Sequence, residues 1–198
     1  MLTLTSEQLE KAIRRDPETI TLIVRKTSGP LYNIIYQLVK NREDAEDALQ
    51  ETYIRMMNNL AGFRGDSQIT TWLYRIATNT ALEKIRRNQS KNGHQDFNDE
   101  EFQEVTITNR HALDQFNPED AMLSQEFRDV LNRYLQELPE KTRLVFILRD
   151  QENLSLEEVV AVTGDSEWSV KGRLKRARSF LREKLAAYMT EGAVRYDS

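Results

Sequence analysis

The sequence predicts an all-α protein made of two small helical domains joined by a flexible linker. Apolar residues recur at helical steps of three and four, and no stretch shows sustained strand alternation. The 198 residues include only 7 glycines and 4 prolines, which leaves room for long helices. Between 91 and 117 the helical periodicity disappears. We therefore expect one domain at 1–90, an acidic linker at 91–117 and a second domain at 118–198.

Start and stop signals divide the amino-terminal half into helices. The pair Gly29-Pro30 is expected to break the chain after a short helix, because proline lacks the amide hydrogen that a helix needs. Asn41 is expected to cap the next helix. Either Asp66 or Ser67 then caps a long helix that runs to about Asn88.

Helix signals resume at Asn117-Pro118, and Leu138-Pro139 separates two further helices. Ser155 and its partner three residues later fit a capping box, and Gly164 provides the permissive backbone of a tight turn. The helix after this turn has an apolar stripe at steps of four, three, four and four, formed by Val170, Leu174, Ala177, Leu181 and Leu185.

The same helix is strongly basic. Positions 171–184 hold 7 basic residues and 1 acidic residue, although the whole chain has a net charge of −4. A local basic helix binds phosphate even when the molecule is acidic, and one helix fits the major groove of DNA. A solvated basic face is the alternative, but the capped helix and glycine turn before it favour DNA binding. The cations at helical spacing are Lys171, Lys175, Arg178 and Arg182, flanked by Arg173 and Arg176.

Other features argue against several classes of protein. The chain has no cysteine, which excludes disulfides and thiolate metal sites. The first thirty residues lack a secretory signal, and no apolar run approaches the roughly 20 residues of a membrane span, so we expect a soluble cytoplasmic protein. Both histidines, His94 and His111, fall in the linker, and no nucleotide-binding motif is present. The sequence therefore predicts no enzyme, no metal site and no cofactor.

Several motifs, in order, resemble the extracytoplasmic-function (ECF) class of RNA polymerase sigma factors within the sigma-70 family. Those similar to sigma region 2 are DAEDALQET (44–52), FRGDS (63–67) and TWLYRIATN (71–79). Those similar to region 4 are LPEKTR (138–143), LSLEE (154–158) and SVKGRLKRAR (169–178). The resemblance covers roughly 20–185. It departs from the family pattern at Glu83, where many relatives have aspartate, and at Gly172, where a serine is common.

The resemblance implies that the helix at 43–60 docks on the clamp of the largest subunit of core RNA polymerase, and that region 4 meets the flap. Asp44, Asp47 and Glu51 share one helix face, and an acidic ridge suits a basic partner. Alternatively, these acids simply favour the positive end of the helix. The residues expected to bind core polymerase are Asp44, Asp47, Leu49, Gln50 and Glu51.

The resemblance also places promoter DNA on both domains. In region 2, a loop and the amide of Asn79 would read a base flipped out of the −10 element. We interpret Trp72 as a core aromatic rather than a stacking platform, and Arg86-Arg87 could alternatively be a charge pair at the helix end. The residues expected at the −10 element are Phe63, Arg64, Ser67, Arg75, Asn79, Lys84, Arg86 and Arg87. Those expected at the −35 element are Ser169, Lys171, Arg173, Lys175, Arg176 and Arg178.

Two expectations concern partners. Members of the class are commonly held inactive by an anti-sigma factor, so such a partner is expected here. The linker is expected to be mobile in the free protein and to enter a basic channel of polymerase, with a passive spacer as the alternative. An ordinary helix-turn-helix repressor or activator would also explain 155–185, but it leaves the amino-terminal motifs without a role.

Overall fold

The structure is a computed structural model that describes residues 2, 4–63, 65, 67–92 and 125–196. The described residues form helices joined by short turns and no strand, which confirms the all-α prediction. Most of the expected linker and the helix start at Asn117-Pro118 lie outside the described residues. Contacts divide the chain into two compact units: 1–96 with 147–167, and 97–146 with 168–198. The domain limits expected from the sequence stay a prediction.

The first unit is built on three long helices that pack against one another. Polar side chains fix where they begin: Asp16 accepts from the amide of Thr19, and Asn41 accepts from the amide of Asp44 as expected. The helices of this unit are α1 (Ser6–Ile13), α2 (Pro17–Val39), α3 (Arg42–Asn59), a 3-10 turn (Leu60–Gly62), α4 (Ile69–Asn92) and, from later in the chain, α7 (Leu156–Thr163).

The core of the first unit lies between α2, α3 and α4. Fully buried side chains from each helix meet there, among them Ile23, Ile35, Met56 and Leu73. Burial of such side chains contributes about 1.5–3 kcal/mol each relative to exposure. Polar contacts join the same helices, since the hydroxyls of Thr27 on α2 and Tyr53 on α3 lie 2.9 Å apart.

The expected break at Gly29-Pro30 is wrong, because α2 continues through both residues. Proline removes one intrahelical hydrogen bond and costs about 3 kcal/mol in an isolated helix. Here residues shortly before and after Gly29-Pro30 are buried in the core: Thr27 is 3% exposed and Leu31 is 1% exposed. Tertiary packing therefore keeps the helix continuous across a local signal to stop.

The second unit packs its last helix against helices that begin after residue 124. Its helices are α5 (Gln125–Glu137), α6 (Glu140–Phe146) and α8 (Glu167–Tyr196). Leu135 and Leu138 pack with Ala177, Phe180 and Leu181 of α8. The whole stripe predicted along this helix is buried, from Val170 to Leu185. An ion pair of 2.8 Å between Lys184 and Glu137 joins the rim of this core.

A connection that belongs to the first unit leads into α7. A turn of π-helix spans Ile147–Gln151, and Ser155 then caps α7 through the predicted capping box with Glu158. The packing of α7 on α4 includes a side-chain hydrogen bond: Thr71 Oγ1 donates to Glu158 Oε1 at 3.3 Å. Tyr74, also on α4, donates to Glu152 Oε2 at 3.1 Å.

Two glycines offer a matched test of backbone conformation. Gly164 ends α7 with φ +73°, whereas Gly172 lies inside α8, and an added methyl would meet no atom within 4 Å at either position. We expect Gly164→Ala to destabilise the protein by about 1–2 kcal/mol, because L-residues are strained in the left-handed region. Gly172→Ala should stabilise it by up to about 1 kcal/mol. Urea titrations measure both, and equal effects would contradict the backbone argument.

Candidate nucleic-acid and protein interfaces

The acidic ridge predicted on α3 lines a groove between α3 and α4. The groove contains two bridging cations. Lys84 Nζ lies 3.1 Å from Asp44 Oδ1 and 3.0 Å from Asp47 Oδ2. Arg55 pairs with Glu51 at 2.8 Å on its own helix and with Glu83 at 2.8 Å across the groove. These contacts tie α3 to α4 through alternating charges.

The pairing changes what the groove offers to a partner. Hydrogen bonds from Arg55 lower the pKa of Glu83, and hydrogen bonds to Asp47 and Asp44 raise the pKa of Lys84. Glu83 and Lys84 are therefore both held in their ionised forms. Asp47 still exposes 66% of its side chain, whereas Asp44 exposes 23%. Lys84 and Arg55 thus neutralise much of the negative charge of the ridge, and Asp47 is its most exposed acid.

One residue of this groove lies away from the surface predicted for it, and another was not predicted to have a role. Lys84 was expected at the −10 element, but the structure places it on the α3 side of α4, paired with two carboxylates. Ile54 was not singled out, yet it lines the groove and is 55% exposed. Asp47, Glu51 and Ile54 are spaced by four and three residues, so they share one helix face. An apolar residue on this charged face was the sequence signal that could have identified Ile54. Gln50 is exposed beside it, and Leu49 is half-buried.

The loop between α3 and α4 is anchored by an aromatic pair. The rings of Phe63 and Trp72 lie 5.0 Å apart, centroid to centroid, which agrees with the structural interpretation of Trp72. Gly65 has φ +77°, and an added Cβ would lie 3.2 Å from Leu9. Ser67 is exposed next to this turn, while Arg64 and Asp66 lie outside the described residues. The aromatic pair thus connects the start of the loop to α4, and Gly65 leaves little room for a side chain.

An exposed polar face continues from this loop along α4. Arg75, Asn79 and Arg86 are all exposed, and their steps of four and seven put them on one side of the helix. Arg87 is also exposed, but it lines the α3–α4 groove and lowers the pKa of Glu83 together with Arg86. The structure therefore brings together three of the expected −10 residues on α4 and separates Lys84 and Arg87 from them.

The start of α4 also faces acidic residues of α7. A cavity beside the loop is lined by Ser67, Gln68 and Thr71 from one side, and by Glu157 and Glu158 from the other. Tyr74 and Glu152 line a separate cavity, where they share a hydrogen bond and burial raises the pKa of both side chains. Carboxylates thus lie beside the loop that the sequence predicts to meet DNA.

The basic residues of α8 divide by exposure. Lys171, Lys175 and Arg178 are exposed, and Arg182 extends the same row by one further step of four. Arg176 is half-buried, and its buried Nε has no hydrogen-bond partner among the described residues. Ser169 is half-buried in the first turn. We call the exposed row Lys171, Lys175, Arg178 and Arg182 the α8 cation stripe.

Arg173 departs from the expected −35 set, because it is only 8% exposed. It follows Val170 by three residues and precedes Ala177 by four, so it lies along the buried stripe rather than the cation stripe. Its guanidinium is therefore not presented to solvent in this structure.

Comparison with family models identifies both halves of the chain. The model for Sigma-70 region 2 matches 23–91, and the model for Sigma-70 region 4 matches 128–181. A relative 34% identical over 96% of this chain and 100% of its own length is the RNA polymerase sigma-H factor of Pseudomonas aeruginosa. The chain belongs to the sigma-70 family. It is a transcription initiation factor of the ECF group.

Other relatives of this sigma factor agree with that assignment. The ECF sigma factor SigW of Bacillus subtilis is 30% identical over 90% of this chain and 95% of its own. The ECF sigma-E factor of Escherichia coli is 32% identical over 91% and 96%. Two solved structures share the fold. CnrH in complex with the cytosolic domain of CnrY matches with TM-score 0.65, 22% identity and coverage of 91% and 96%. The RpoE–NepR complex of Bartonella quintana matches with TM-score 0.63, 21% identity and coverage of 83% and 95%.

The matched regions contain the surfaces described above. The α3–α4 groove and the exposed face of α4 fall in region 2, and the α8 cation stripe begins in region 4. Sigma factors are non-enzymatic initiation factors as a family. Within the described ranges, no helix is long and apolar enough to cross a membrane, and no cluster of acidic or histidine side chains is placed to hold a metal ion.

Proposed function

We propose that this sigma factor binds core RNA polymerase in the cytoplasm, recognises the −10 and −35 promoter elements and promotes DNA opening. One observation supports this proposal most directly: each of the two matched sigma regions contains an exposed polar or charged surface that could bind a partner. Region 2 presents a charged groove and a polar helix face, and region 4 presents a row of cations. The proposed domains remain 1–90 and 118–198, joined by the linker 91–117.

The α3–α4 groove is the proposed docking site for the polymerase clamp. Interfaces gain affinity from a desolvated apolar contact and gain orientation and association rate from charge. Ile54 supplies exposed apolar surface, and Asp47 supplies a carboxylate that a basic partner would meet. The ion pairs of Lys84 and Arg55 hold the two helix faces in register before the partner arrives. Asp44, Leu49, Gln50 and Glu51 complete the proposed surface.

The loop and the exposed face of α4 are the proposed −10 surface. Promoter opening requires a base to leave the stack, and an amide can pair with the edge of a flipped base. Asn79 is exposed between Arg75 and Arg86, so cations flank the proposed base contact and would hold the phosphates on either side. Phe63 and Ser67 contribute from the loop, and Phe63 packs against Trp72 of α4.

The α8 cation stripe is the proposed −35 surface. A recognition helix in the major groove contacts bases with its first residues and phosphates along its length. The stripe from Lys171 to Arg182 spans about 16 Å at 1.5 Å per residue, which suits contacts with several phosphates of one groove. Lys171, Lys175 and Arg178 are the proposed central contacts with DNA. Arg176 and Ser169 are half-buried, so they are proposed to make smaller contacts.

A protein inhibitor is the third proposed partner. The structurally similar CnrH and RpoE are each in a complex, with CnrY and with the anti-sigma factor NepR respectively. We propose that an anti-sigma factor holds this chain inactive until an envelope or stress signal releases it. Region 4 would also meet the flap of core polymerase.

Transcription in vitro tests the proposed function directly. Purified chain and core polymerase are incubated on a fragmented genomic library, and start sites are mapped with and without the chain. We expect new start sites that share two spaced elements, together with copurification of the chain with core polymerase. DNA binding without copurification would instead identify a free-standing helix-turn-helix regulator.

Asn79→Ala is expected to impair opening more than initial promoter binding. Loss of one hydrogen bond to a flipped base, about 1.4 kcal/mol, should lower the open fraction about tenfold. Asn58→Ala is the matched control, since Asn58 is exposed on α3 of the same unit. Permanganate footprinting measures unstacked thymines, and filter binding at low temperature measures the closed complex. Equal opening by both variants would remove Asn79 from the −10 surface.

A further inference from the structure

The first turn of α8 carries an exposed tryptophan. Trp168 is 84% exposed, more than any other large apolar side chain among the described residues. A single exposed apolar residue on a protein surface needs no explanation in itself. Its position does, because it precedes Lys171, Lys175, Arg178 and Arg182 at steps of three, four, three and four. The indole therefore begins the row that the cation stripe continues.

We infer that Trp168 contacts a base edge in the −35 element and contributes to the sequence preference of this sigma factor. The inference rests on the proposed −35 function of α8. Residues at the amino-terminal end of a recognition helix reach base edges in the major groove. Trp168 is the second residue of α8, on the same side as the cations proposed to hold phosphates. Those cations fix the helix in the groove, which directs the indole toward the bases.

The chemistry of the indole defines what it recognises. Its ring is a large apolar surface, and its Nε1–H donates but does not accept. In the major groove, thymine alone presents a methyl group, next to the O4 acceptor. An indole can cover that methyl and remove it from water. We therefore assign Trp168 to a thymine, with hydrophobic contact as the main source of discrimination.

This role separates Trp168 from the neighbouring cations by a measurable criterion. A cation that neutralises a phosphate adds about 0.9 to the slope of log affinity against log salt, whatever the sequence. An indole on a base releases no counterion. Loss of Trp168 should therefore change base preference and leave the salt slope unaltered, whereas loss of Lys175 should do the reverse.

The experiment uses the full chain bound to core polymerase. The preferred −35 sequence is first selected by wild-type holoenzyme from DNA randomised at that element. Binding is then compared for Trp168→Ala, Trp168→Phe and Met189→Ala. Met189 provides the control, because it is 46% exposed on the same helix, about 30 Å along the axis from Trp168. Each thymine of the selected element is also replaced in turn by deoxyuridine, which removes only the methyl.

We expect one deoxyuridine substitution to weaken wild-type binding about fourfold, the value for one methyl-sized group leaving water. The same substitution should have no effect on Trp168→Ala, and Trp168→Phe should retain part of the preference. Met189→Ala should behave as wild type. The salt slope should be equal for all four proteins.

Three results would overturn the inference. The first is an unchanged base preference in Trp168→Ala. The second is a reduced salt slope in that variant, which would indicate a phosphate contact. The third is weaker binding of Trp168→Ala to core polymerase with normal promoter preference, which would make the indole a protein contact. Failure of wild-type holoenzyme to select any −35 sequence would instead count against the proposed function.

Discussion

Holoenzyme containing the triple variant Lys171→Ala, Lys175→Ala and Arg178→Ala should lose most of its affinity for the −35 element. These three side chains are exposed along one side of α8. Each phosphate contact contributes about 0.9 to the salt slope, so the slope should fall by about 2.7. If the affinities of both proteins meet near 1 M salt, this equals about 500-fold weaker binding at 0.1 M. The fold should persist, since none of the three belongs to the buried stripe.

A control with the same change of net charge separates a local contact from a general electrostatic effect. Lys11, Arg14 and Arg25 are exposed in the first unit, and their combined change to alanine also removes three positive charges. Fluorescence anisotropy with a labelled promoter, repeated from 50 to 300 mM salt, gives both slopes. Similar loss in the two triple variants would show that α8 has no special place on DNA.

Reversal of the groove acids, Asp47→Lys with Glu51→Lys, should weaken binding to core polymerase by at least about tenfold. Like charges brought together across an interface cost several kcal/mol, and lost steering slows association. Asp47 exposes 66% of its side chain to solvent, so it should carry more of the effect than Glu51, which pairs with Arg55. The fold should survive, because Arg55 keeps its bidentate contact with Glu83.

The matched control reverses two acids outside the groove. Glu46 on α3 pairs with Arg42, and Glu10 on α1 pairs with Arg14, each within its own helix. Glu46→Lys with Glu10→Lys therefore adds the same charge as the groove variant. Surface plasmon resonance gives association and dissociation rates, and circular dichroism checks folding. Unchanged affinity of the groove variant, with normal helicity, would contradict the docking assignment.

The sequence predicted those features of the fold that depend on neighbours in the chain. Asn41 and Ser155 cap helices because their side chains bond amides three residues away, a relation visible in sequence. The stripe from Val170 to Leu185 is buried because helical spacing puts it on one side. Gly164 adopts the left-handed conformation that its place after α7 indicated.

Features that depend on distant residues were missed. Pro30 remains inside α2 because the core around Leu31 outweighs the lost hydrogen bond. The residues paired with Lys84 lie 37 and 40 positions earlier in the chain, so no local pattern shows that it bridges two carboxylates. Tertiary contact, not composition, decides these positions.

Three further residues show how much helical spacing alone indicates. Arg173 fits the steps of the buried stripe, but its charge suggested a place among the DNA contacts. Ile54 and Trp168 interrupt charged rows at helical spacing, and each is a large apolar side chain that stays exposed. For all three residues, helical spacing indicates the helix face on which the side chain lies, whereas residue type alone does not.

The attachment of α7 to the first unit also has a consequence for the time course of synthesis. The first unit is discontinuous, since the 50 residues of 97–146 separate its two parts. At about 5–20 residues per second, 147–167 follow the first part by about 3–10 s. During that interval Thr71 and Tyr74 lack the carboxylates that later accept their hydrogen bonds. The nascent bundle of α2, α3 and α4 is therefore translated before its last helix, and the closing contact spans about 80 residues.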